Sequence, residues 1–180
     1  MAYAEAQEDS KHKKWFVQSQ VSYIKVTELW HSEKVSGQWV NTYPDPSKSY
    51  ALSLNVLGGY YLVKKRLSLG MGLGYDGYYK PNFSTAPLYG DLRFYFTNED
   101  NIPYIHLALG GNLNLGPGFY RGGYLQLGAG YKIRISDNLL SYIEIAVTRS
   151  GISLTGDSWA NSDNTYAFQG IGFTFGVFLF

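Results

Sequence analysis

The 180-residue chain contains no cysteine, which excludes disulfide frameworks, thiolate chemistry and cysteine-ligated zinc. Charge of either sign is scarce: 15 Lys and Arg against 14 Asp and Glu leave a net charge of +1, which offers no basic field to nucleic acid. The three histidines, His12, His31 and His106, form no ligand spacing, so no metal and no other cofactor is expected. No run approaches the roughly 18 apolar residues a membrane helix needs. A signal peptide with a charged n-region and an apolar h-region is also missing. Ala2-Tyr3-Ala4 before Glu5 has the small-x-small form of a cleavage site. The chain therefore reads either as mature or nearly mature behind an added Met1, or as carrying an ordinary disordered N-terminus.

What is abundant is aromatic residues and glycine: 17 Tyr, 10 Phe, 4 Trp and 21 Gly. Leu67 to Tyr75 reads Leu-Ser-Leu-Gly-Met-Gly-Leu-Gly-Tyr, a period of two that predicts a strand with Leu67, Leu69, Met71, Leu73 and Tyr75 on one face. A half-exposed strand of a soluble sandwich would carry charged and polar residues opposite. Here the other face is Ser68, Gly70, Gly72 and Gly74, which suits an apolar outer wall in lipid and a crowded interior. A mean hydropathy of −0.19 agrees, because polar lumen residues dilute the lipid-facing ones.

Seven further segments alternate in the same way: Trp15 to Val26, Ser49 to Leu62, Leu88 to Phe96, Ile102 to Asn114, Arg121 to Ile135, Leu139 to Thr148 and Thr165 to Phe180. The connections Val63–Arg66, Thr97–Asn101 and Ser136–Asn138 are tight, the one around Lys80-Pro81-Asn82 is a short loop, and the others are read as longer loops. The predicted fold is all-β, an eight-stranded antiparallel up-and-down transmembrane barrel spanning 15–180 behind a flexible segment, 1–14. Closing strand one on strand eight removes the edges that lipid does not tolerate.

The chain resembles the small eight-stranded outer-membrane barrels of the OmpA/OmpX-like kind. The resemblance rests on this architecture, on strands such as Gly122-Gly123-Tyr124-Leu125-Gln126-Leu127-Gly128-Ala129-Gly130-Tyr131, and on the aromatic C-terminal strand. It implies residence in a bacterial outer membrane, with periplasmic termini and extracellular loops. It also implies contact with outer-membrane lipid and lipopolysaccharide, and insertion by the barrel-assembly machinery, with Phe178 and Phe180 belonging to the assembly signal. In the last strand Phe178 and Phe180 break parity with Ile171, Phe173 and Phe175. Either a bulge near Gly176 resets the strand or the final aromatics cap the lumen. Phe173 and Phe175 are expected to face lipid.

The expected lumen-facing polar residues are Asp76, Asp91, Arg93, His106, Gln126, Lys132, Arg134 and Glu144. Small barrels fill their interiors with side chains and buried charges need partners, so Asp91 or Glu144 should pair with Arg93 or Arg134. Lipid A-modifying enzymes use this scaffold too. The deacylase type carries His-x-Ser, but His106 is followed by Leu107-Ala108, and adjacent His31-Ser32 would point to opposite faces. The palmitoyltransferase type uses a His, an Asp and a Ser at the rim, a role that only a forced grouping of His31, Ser32 and Asp76 would fill. Asp157 and Asp163 lack calcium-loop spacing. The first expectation is thus a non-enzymatic interaction protein, acting through Trp30, Trp39, Tyr43 and Trp159 or as a subunit beside another outer-membrane protein. The alternatives are a lipid A-modifying enzyme and a narrow channel for small or hydrophobic solutes.

Overall fold

The computed structural model describes residues 14–63, 66–97, 99, 101–113, 121–136, 139–153 and 164–179. Alternating apolar and small or polar residues form long strands: β1 (Trp15–Val35), β2 (Gln38–Thr42), β3 (Tyr50–Val63), β4 (Leu67–Tyr79), β5 (Phe83–Tyr95), β6 (Ile102–Leu113), β7 (Gly122–Ser136), β8 (Leu139–Ser153) and β9 (Asn164–Leu179). β1 and β3 to β9 pair antiparallel in chain order, and β9 returns to β1 from Val17↔Leu179 to Glu33↔Asn164. The result is a closed barrel of eight strands with no free edge along the lipid-facing wall. One end carries the start of β1, the end of β9 and the tight connections, and is called the turn end. The opposite end is the loop end.

β1 is longer than the Trp15 to Val26 of the sequence reading, and the cause is local. Its ladder with β9 steps from Val26↔Gly170 to Glu28↔Gln169, so Thr27 is an extra residue that bulges the strand. Below the bulge Ile24 and Val26 face inward; above it Leu29 does. The strand then continues beyond the wall and folds back through Ser36 and Gly37, at φ 50° and 84°, into β2 (Val35↔Gln38 to His31↔Thr42). Two successive positive φ values are what a two-residue hairpin turn with the right twist requires. Much of the expected first loop is therefore strand.

β5 begins at Phe83 rather than Leu88, because the ladder with β4 continues past Pro87. Pairing runs to Leu73↔Leu88 and resumes at Asp76↔Thr85. A proline inside an otherwise regular strand reads as a breaker, since it cannot donate to the ladder. The short loop read around Lys80-Pro81-Asn82 is a short turn that ends at Phe83, and the residues up to Leu88 belong to β5. β8 likewise extends past Thr148 to Ser153.

The outward face is apolar. Leu127, Phe173 and Ile145 remain 59%, 57% and 56% exposed, a distribution that only a hydrocarbon surrounding stabilises. Aromatic residues mark both margins: Tyr23, Tyr50 and Tyr79 line up at 5.8 and 5.1 Å near the loop end, and Trp15 meets Tyr60 edge-on at 4.8 Å near the turn end. Inward glycines leave room for large neighbours. A Cβ on Gly72 would collide with the Tyr89 ring, and one on Gly128 with the His106 ring.

Candidate functional site

Inward parity brings side chains of all eight wall strands into the lumen, where they stack in layers. At the loop end Tyr78, Phe83 and Phe168 form a triangle with ring separations of 4.6, 4.8 and 5.0 Å, packed with Ile24, Leu29 and Ile152. Toward the turn end Tyr95, Tyr104, Tyr142, Phe16 and Phe178 make a second aromatic layer. A charged cluster lies within this second half.

The cluster is built from three strands. Asp91 and Arg93 share the inward face of β5, and Arg93 Nε donates to Asp91 Oδ1 at 2.6 Å. His106 stands opposite Arg93 on β6; its Nδ1 lies 2.8 Å from Asp91 Oδ2 and its Nε2 3.1 Å from Glu144 Oε1 on β8. The second contact is close enough for ion pairing, but Nε2 and Oε1 lack hydrogen-bond alignment. Tyr104 Oη donates to Glu144 Oε2 at 2.8 Å. The Arg93 guanidinium sits 5.3, 5.6 and 5.7 Å from the ring centres of Tyr104, Tyr142 and Phe178. An imidazole held between two carboxylates, beside one guanidinium, gives every charge an opposite neighbour, which burial demands.

The other expected lumen residues occupy separate places. Asp76 Oδ1 accepts from Ser53 Oγ at 2.5 Å, and Asn55 donates to the same hydroxyl at 2.7 Å. Gln126 Oε1 accepts from Tyr124 Oη at 2.9 Å. Lys132 is buried with its Nζ 4.5 Å over the Tyr95 ring. Arg134 has inward parity but is exposed, and this corrects its assignment to the lumen network. At this height β7 has run past the last aromatic layer, so the side chain meets solvent at the turn end. The expected pairing resolves as Asp91 with Arg93, while Glu144 is served by His106 and Tyr104.

The last strand also settles between its two readings. β9 keeps unbroken register with β1 and β8 past Gly176. There is no bulge there: Phe173 and Phe175 face out, and Phe178 is fully buried against Phe16 and Tyr142 at 5.3 and 5.1 Å. Phe178 caps the lumen. Phe180 lies outside the described residues, as do residues 1–13 with His12, and Trp159, Asp157 and Asp163.

Sequence reasoning passed over several lumen partners. Tyr142 accepts a hydrogen bond from Gln18 Nε2 and donates to Gln20 Oε1 at 2.5 Å, and Ser22 meets Thr174 at 2.8 Å. Each had inward parity as its signal, but tyrosine serves equally well on lipid margins, so type alone did not select it.

At the loop end Trp39 and Tyr43 are exposed, on β2 and just after it. Trp30 is on β1, not in a loop; the Thr27 bulge turns it outward, where Arg149 lies 5.4 Å over its ring. His31 stacks on Tyr166 at 4.2 Å and bonds Asn164 Oδ1 at 2.8 Å, while Ser32 Oγ donates to Asn41 Oδ1 at 2.7 Å. With Asp76 committed to Ser53 inside the barrel, the grouping His31, Ser32 and Asp76 is not assembled. A depression of 370 Å³ between Leu29, Pro44, Asp45, Lys48, Lys80 and Tyr166 forms the mouth.

No family model matches the chain, and no curated protein matches it in sequence. Solved structures do match. Neisserial surface protein A is 14% identical over 92% of this chain and 96% of its own, with a TM-score of 0.50. Outer membrane protein OprG from Pseudomonas aeruginosa is 13% identical over 94% and 97%, at 0.53. The fold is that of a small outer-membrane barrel. The outer membrane protease OmpT from Escherichia coli also matches, 9% identical over 91% and 96% at 0.50, which shows that a barrel of this shape does not by itself specify an activity. In this outer-membrane-type barrel the lumen is filled with packed side chains and the loop end carries exposed Trp39 and Tyr43.

Proposed function

We propose that the chain is a non-enzymatic bacterial outer-membrane protein that works through contacts made at its loop end, alone or as a subunit beside another outer-membrane protein. The observation that carries this reading is the β1–β2 hairpin. It extends past the wall and holds Trp39 and Tyr43 at 53% and 71% exposure, while the lumen below is filled with packed side chains. Exposed aromatic residues on a hydrogen-bonded hairpin favour recognition, because little side-chain freedom is lost on binding. In this reading the termini and tight turns are periplasmic and the hairpin is extracellular, in contact with lipopolysaccharide around it. Phe178 serves assembly as part of the C-terminal signal and closes the lumen once folded.

The test uses the cysteine-free background. A photo-crosslinker placed at residue 39 or 43 in cells should trap one discrete adduct, and the same probe at the wall position Leu127 should trap none of that adduct. Labelling only of lipid, from all three positions alike, would overturn the interaction reading. Unchanged lipid A mass spectra between expressing and deleted cells are expected; a new acylation state would revive the enzyme alternative.

A further inference from the structure

The lipid-facing wall is not equally filled. Near the turn end, where β1, β3 and β4 adjoin, it carries a groove of 870 Å³. Gly58 is its floor, between Val17 of β1 and Met71 of β4 in register, and a Cβ there would meet nothing within 4 Å. Trp15, Tyr60, Leu62 and Leu69 wall it. Two bulky rows, on β1 and β4, stand apart over this glycine; beyond Met71 the same row has a second outward glycine, Gly90 on β5.

Charge is as unevenly distributed among the tight connections. The connection from β3 to β4 reads Val63-Lys64-Lys65-Arg66, whereas the other tight connections carry Glu99 and Asp100, or Asp137. Two described cations stand at the turn-end limits of β1 and β4, which carry the groove. Exposed Lys14 precedes Trp15, and its carbonyl accepts from Tyr61 of β3 at 2.9 Å. Arg66 is pinned at the foot of β4, its amide donating to Val63 and its carbonyl accepting from Tyr95, at 2.9 and 2.8 Å. An apolar slot whose bordering strands begin or end on cations at the membrane margin has the polarity of one kind of molecule: acyl chain within, anionic head at the rim.

We propose that this groove is a binding site for an anionic phospholipid, with one acyl chain lying over Gly58 between Trp15 and Met71 and the phosphate against Lys14 and Arg66. The assignment to a phospholipid rests on the proposed orientation, which makes the turn-end leaflet the periplasmic one. In the opposite orientation the same chemistry would select lipid A.

The test is native mass spectrometry of the full barrel released from vesicles of phosphatidylglycerol and phosphatidylcholine in equal amounts. Wild type should retain one phosphatidylglycerol in preference to phosphatidylcholine by about fivefold per contributing cation. Lys14→Gln with Arg66→Gln should bring the two lipids to parity, and Gly58→Phe should lower retention of both. Heat-modified gel migration verifies that each variant is folded. Equal retention of the two lipids by wild type, or unaltered retention by folded Gly58→Phe, would overturn the site. Cysteine accessibility at residue 66 in intact cells separately tests orientation. Labelling of residue 66 from outside, with phosphatidylglycerol retention intact, would overturn the periplasmic assignment and leave the site standing; lipid A preferred over phosphatidylglycerol in vesicles containing both would overturn the choice of phospholipid.

Discussion

Leu127 and His106 stand on adjacent strands one register step apart, since Leu127 opposes Leu107 and His106 opposes Gly128. Leu127 is 59% exposed and touches what the membrane supplies; His106 is 3% exposed and meets two named carboxylates. The wall selects by polarity, because any apolar side chain is solvated equally well by lipid tails. The lumen selects by identity, because each buried donor and charge needs a particular neighbour. For folding, shape is constrained inside: Gly72, which fits Tyr89, cannot grow, while Gly58 on the wall can.

The largest effect that would break this comparison belongs to the lumen. Arg93→Ala leaves Asp91 without its guanidinium and should cost about 3–5 kcal/mol, read by urea unfolding in detergent micelles. Loss below about 1 kcal/mol would show that the cluster is solvated rather than paired. On the wall, Leu127→Arg should cost about 2–4 kcal/mol near the bilayer midplane, whereas Leu127→Ile should be nearly neutral. A free monomer stable in plain buffer would contradict the wall altogether.

Glycines sharpen the contrast at smaller scale. Gly72→Val must displace the Tyr89 ring and should cost about 1–3 kcal/mol by overpacking, while Gly58→Val on the outer wall should leave the melting midpoint unchanged. Equal effects at the two positions would remove the distinction between faces. The smallest expected change lies in solvent. Ser47 donates from its hydroxyl and amide to Asp45 at 2.7 and 2.9 Å, and these bonds hold the Asp45 carboxyl below its ordinary 3.8. The turn is therefore fully formed above that value and loosens as pH falls through the lower, folded one. The Ser47 amide resonance should move across that acid range, and Asp45→Asn should abolish the movement.

How far these features were legible follows from what each depends on. Strand parity located the wall and most of the lumen set, because facing in or out is fixed by a period of two. The element limits at Pro87 and Thr27 were not legible: a proline that drops out of the β4 ladder while still pairing with β6, and an extra residue that bulges β1, look like breaks until neighbouring strands are seen to continue. Arg134 kept the right parity at the wrong height, since parity states the face of a strand and not where the aromatic layer ends. Residue type did not single out Tyr104 and Tyr142, because tyrosine is shared with the membrane margins.

By itself the sequence determined a barrel with an apolar exterior, because alternation and the absence of long apolar runs leave lipid no other solution. Register decided the rest. Only the paired and closed strands show that Phe178 caps the lumen, that Asp91, Arg93, His106 and Glu144 form one cluster, and that Gly58 lies under a groove between β1 and β4. Each of these depends on strands far apart in the chain arriving at one height. Alternation along a single strand carries no information about height.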